Sequence, residues 1–121
     1  MYGVPGDLPL DRFVGHQFNF IGLGRFQVQF HASGVGSIFV EGRWELRDAA
    51  ENMLDQSQEH SDRSDYRIHC VLDAPIVGFI VDAPKSFRLN FESGHSLTVY
   101  DDSQQYESFS LHLAGEPSIY I

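Results

Sequence analysis

The chain has 121 residues, 42% of them apolar, with ten Phe, five Tyr and one Trp, which is enough for a packed core and excludes a disordered chain. Its formal net charge is −9, with eight Lys and Arg against seventeen Asp and Glu, a balance that repels phosphate and excludes direct nucleic-acid binding. No apolar run nears the roughly 20 residues needed to span a bilayer, and the lone cysteine, Cys70, rules out an intrachain disulfide.

Met1 to Asp7 lack a charged region followed by an apolar one, so the sequence predicts a cytoplasmic protein without a membrane role. Residues 1–12 hold two of the five prolines and predict an irregular lead-in. From Phe13 the period is two, with Val14, Phe18 and Phe20 on one parity. Gly22-Leu23-Gly24 predicts a turn. Phe26, Val28 and Phe30 then alternate with Arg25, Gln27, Gln29 and His31, as in a strand with one dry and one wet face. Ser33-Gly34-Val35-Gly36 predicts a hairpin turn, after which Ile38 and Val40 return to the dry face. Gly42 predicts a break, followed by inward Trp44 and Leu46.

Residues 48–54 suit a helical turn or a long hairpin tip, and Gln56 to Asp65 read as an exposed loop. Ser61 or Ser64 is expected to cap a short helix reaching Leu72, with Tyr66, His69 and Cys70 at helical spacing. Pro75 would stop it, and the β-branched run from Ile76 to Val81 predicts a strand. Phe87, Leu89 and Phe91 then alternate with Arg88, Asn90 and Glu92. A Ser93-Gly94 turn leads to Leu97 and Val99, and Phe109, Leu111 and Leu113 make a further strand.

The second half echoes the first. Phe26-Gln27-Val28-Gln29-Phe30 matches Phe87-Arg88-Leu89-Asn90-Phe91, Ser33-Gly34 matches Ser93-Gly94, and Ser37 to Glu41 match Ser96 to Tyr100. Such self-similarity marks one supersecondary unit used twice. The expected fold is mainly β (α+β), a single domain of two antiparallel β-meander units, about 13–47 and 76–114. A polar loop and one short helix over 48–75 join them. The two dry faces pack together, or the units form one curved sheet. Phe26, Val28, Phe30, Ile38, Val40, Trp44 and Leu46 are expected in the core with Phe87, Leu89, Phe91, Leu97, Val99, Phe109 and Leu111.

No constellation for chemistry emerges. The six histidines have no helical metal spacing and there is no Cys-x-x-Cys, so neither metal nor cofactor is expected. Cys70 reads as a small buried hydrophobe and not as a thiol nucleophile. Asp101 and Asp102, with Glu107, read as solvated turn acids and not as a glycosidase pair. The glycine pairs fit hairpin turns and not phosphate loops.

The run from Phe87 to Gly94, Leu97-Thr98-Val99-Tyr100 and Tyr106-Glu107-Ser108-Phe109 resembles a family of small uncharacterised bacterial proteins with a duplicated β-unit. Small acidic proteins of this look resemble bacterial immunity proteins, which neutralise a cognate toxin. That resemblance implies a non-catalytic binding protein. The acidity, concentrated in residues 41–67 and 89–121, implies a basic protein partner, such as a toxin domain. The expected contact residues are the loop acids Asp55, Glu59, Asp62 and Asp65 and the acids Asp101, Asp102 and Glu107. Tyr100 and Tyr106 are expected as anchors beside the second group. The alternatives are a small-molecule-binding β-domain with its pocket between the units, or a hydrolase.

Overall fold

Most of the alternating apolar and polar runs fold here into strands, whereas Phe13 ends a 3-10 turn and Phe18 makes only an isolated bridge. The computed structural model describes residues 3–24, 26–57, 66–101 and 107–121. Its strands are β1 (Phe20–Leu23), β2 (Val28–Ala32), β3 (Gly36–Val40), β4 (Trp44–Arg47), β5 (Met53–Gln56), β6 (Ile76–Asp82), β7 (Ser86–Phe91), β8 (Ser96–Tyr100), β9 (Phe109–Leu113) and β10 (Ile119–Tyr120). Among the described residues, helix occurs only as short 3-10 turns, at Leu10–Phe13 and Ile68–Val71.

The strands form two antiparallel five-stranded sheets. Sheet I has the order β1-β2-β3-β9-β10, and sheet II has the order β5-β4-β8-β7-β6. Each sheet thus takes three consecutive strands from one half of the chain and two from the other. The pairing also repeats. Val28 faces Val40 and Phe30 faces Ile38 in sheet I, while Phe87 faces Val99 and Leu89 faces Leu97 in sheet II. Trp44 joins sheet II opposite Val99, and Phe109 joins sheet I opposite Val40. In this register Phe87 stands where Val28 stands, not where Phe26 stands. The sequence match was two residues out of step along the first strand. A two-residue slip keeps every side chain on its face, so the burial pattern held while one residue did not: Phe26 is 77% exposed, in the β1–β2 turn.

The other expected core residues are buried, and they form one cluster between the sheets. The rings of Phe87 and Phe109 meet across it with centroids 4.9 Å apart. Trp44, Phe30, Ile38, Leu46 and Leu89 are also fully buried there, and at one end Val28, Val40, Trp44, Ser57 and Tyr66 help to line a depression of about 230 Å³. The lead-in is part of this core: Val4, Leu8, Leu10 and Phe13 are buried. Phe18 fits between Phe13, Phe30 and Phe91, with centroids 6.0, 5.3 and 6.3 Å away.

The chain changes sheets twice, and the two crossings touch. Between β3 and β4 the N–H groups of Glu41 and Gly42 both donate to the Ser108 carbonyl, at 3.0 and 2.9 Å. Ser108 belongs to the crossing from β8 to β9. A Cβ on Gly42 would lie 3.2 Å from Ser108 Cα, so glycine permits this close backbone approach.

The expected helix through Leu72 is the 3-10 turn Ile68–Val71. Its cap is supplied from a distance: Asp55 Oδ2 on β5 accepts from the N–H groups of Arg67, at 2.6 Å, and Ile68, at 2.9 Å. Ser61 and Ser64, the expected caps, lie outside the described residues.

Candidate functional site

Two of the acids expected at a contact surface have structural duties. Asp55 lies in a strand and is buried, where a loop acid was expected. Its Oδ1 also accepts from the Gln56 N–H at 2.8 Å. Asp101 is half-buried at the β8–β9 crossing. It accepts from the Gly3 N–H, and from Ser108 Oγ at 2.8 Å. Glu107 is exposed. Glu59, Asp62, Asp65, Asp102 and Tyr106 lie outside the described residues.

Tyr100 is half-buried and tied into sheet II. Its hydroxyl donates to Glu45 Oε1 at 2.7 Å, and the Arg43 guanidinium lies 4.1 Å above its ring. Glu45 also pairs with Arg43 at 3.0 Å and Arg47 at 3.3 Å. Burial pushes the Glu45 carboxyl up, but the Tyr100, Arg43 and Arg47 bonds outweigh it and hold the group below its ordinary value. Burial, and then the bond to Glu45, push the Tyr100 phenol up. Arg12 pairs with Glu116, and Arg88 with Glu51.

The outer face of sheet I is of another kind. Register places Phe20, His31, Ser37 and His112 side by side on β1, β2, β3 and β9. The next row on this face is Gly22, Gln29, Phe39, Ser110 and Tyr120. Rings from the two rows interleave into a ladder that crosses all five strands. Centroids are 5.3 Å apart from Phe20 to His31, 5.6 Å from His31 to Phe39, 4.5 Å from Phe39 to His112 and 5.7 Å from His112 to Tyr120. The ends of the ladder are open, with Phe20 56% and Tyr120 50% exposed.

Hydrogen bonds fix the rings. Gln27 Nε2 donates to Glu41 Oε1 at 3.2 Å, and Gln29 Nε2 donates to Gln27 Oε1 at 2.6 Å. Gln29 Oε1 therefore faces His31 Nε2, at 3.0 Å, as an acceptor. The neutral imidazole must then carry its proton on Nε2 and accept from Ser37 Oγ at Nδ1, 2.7 Å away. His112 is held between Ser110 Oγ at 2.8 Å and Ser118 Oγ at 2.7 Å. Beside the ladder a depression of about 460 Å³ opens between the β2–β3 turn and β9, lined in part by Asn19, Ser33, His31 and His112.

Sequence reasoning placed His31 on wet parity but missed the ladder. The available signal was Phe39, a ring on the wet parity between Ile38 and Val40. Cys70 is half-buried, and burial pushes its thiol up, which makes the reactive thiolate scarce. Among the described residues no group of three His, Cys, Asp or Glu side chains could hold a metal, and no helix is long and apolar enough to cross a membrane. No protein-family model, curated protein or solved structure matches this chain.

Proposed function

We propose that this chain is a non-catalytic binding protein for a basic protein partner, of the kind that neutralises a cognate toxin. The observation that carries the reading is the fate of the positive charge. Among the described residues Arg12, Arg43, Arg47 and Arg88 each pair with a carboxylate of this chain, and Lys85 stands exposed. Acids such as Asp82, Glu92 and Glu107 remain exposed, and the net charge is −9. A field of that sign draws a cationic partner in and speeds its encounter. The scarcity of Cys70 thiolate and the packed core between the sheets support recognition at the surface over chemistry in a pocket.

The test is surface binding against the protein encoded beside this one and against a panel of basic toxin domains. The expected partner associates fast at low salt and progressively more slowly as salt rises. Absence of any basic binder, or an association rate indifferent to salt, would overturn the reading.

A further inference from the structure

We infer that the outer face of sheet I is where the basic partner docks, and that it receives arginine side chains on the rings of the ladder. This rests on the reading that the partner is a basic protein. The first argument is charge. Among the described residues this face carries no Lys or Arg, no described cation lies over Phe20, His31, Phe39, His112 or Tyr120, and Glu41 stands at its rim. The second is contrast within the molecule. On sheet II the outward ring of Tyr100 is already capped by Arg43, 4.1 Å from its centroid. The fold thus displays on one sheet the contact that the other sheet leaves open. Guanidinium groups stack on aromatic faces more often than ammonium groups do.

The third argument is the use of the polar groups. Both ring nitrogens of His31 and both of His112 are engaged within the chain. A sugar would need such groups aimed outward at its hydroxyls. Here they hold the rings still instead, and rings held in place lose little freedom when a partner stacks on them. Aromatic residues and arginine are also the types that interfaces favour and on which binding energy concentrates. The acids at Asp55 and Asp101, by comparison, are occupied by backbone and Ser108 donors.

The experiment is a residue-resolved NMR titration of the labelled protein at low salt with nona-arginine, nona-lysine and cellohexaose. Nona-arginine is expected to shift the ladder residues most, and nona-lysine to shift them at least several-fold less. Phe20→Ser and Tyr120→Ser, at the open ends of the ladder, should each weaken nona-arginine binding about tenfold while leaving the rest of the spectrum unchanged. Arginine peptide binding centred on residues 53–67 or 101–107 would overturn the ladder while leaving the basic-partner reading intact. Equal ladder shifts from both peptides, or ladder shifts from the neutral sugar, would overturn the arginine assignment. No response to either cationic peptide would remove the basic-partner reading and the ladder with it.

Discussion

Replacing Asp55 by Ala would strip the N–H groups of Gln56, Arg67 and Ile68 of their carboxylate. Hydrogen bonds to a charged group count for more than neutral ones, and donors left unsatisfied in the interior are costly. Asp55→Ala should therefore lower stability by about 3 kcal/mol, with Asp55→Asn intermediate, as read by urea denaturation. A variant that is fully stable yet fails to bind a partner would return Asp55 to the contact surface. Glu45 and Tyr100 set a pH window. The folded Glu45 carboxyl is held below its ordinary value, so its contribution is fully present above about pH 4.3 and is lost as pH falls through the lower folded value. The Tyr100 phenol is raised, so its contribution is present below about pH 10 and is lost as pH rises through the higher folded value. Thermal melts across pH should show Glu45→Gln flattening the acid limb and Tyr100→Phe flattening the alkaline limb. Acid limbs that coincide for wild type and Glu45→Gln would contradict the pairing.

At the scale of elements, Phe30→Ala on β2 should cost about 3–5 kcal/mol, because the ring is fully buried against Phe18. Phe26→Ala, at an exposed turn position, should cost a small fraction of that. Equal losses would mean that β2 begins two residues earlier than the pairing shows. This difference marks the limit of what the sequence makes legible. Alternation identifies a dry face, so Val28, Phe30, Ile38, Leu89 and Leu97 were placed correctly from parity alone. Parity is blind to a slip of two, so Phe26 was drawn into the core. The Ile68–Val71 turn was hidden for another reason: its cap comes from Asp55, on a strand earlier in the chain, and local capping signals do not report a distant carboxylate. The ladder was hidden because Phe39 and His112 become neighbours only when β9 pairs with β3.

The whole molecule is knit by the exchange of strands between halves. With β4 and β5 in sheet II, and β9 and β10 in sheet I, neither half holds a complete sheet. Unfolding should accordingly be one cooperative transition, with calorimetric and van't Hoff enthalpies equal. Two separable transitions, one for each half, would contradict that interdependence. The exchange also builds the candidate docking face, since its five strands come from both halves of the chain. The measurement that bears most directly on recognition is hydrogen exchange of the protein alone and in complex with the basic partner found by surface binding. The account predicts new protection over residues 20–23, 28–32, 36–40 and 109–120, the strands that carry the ladder. Protection confined to residues 53–67 and 101–107, with the strands of sheet I unchanged, would contradict it.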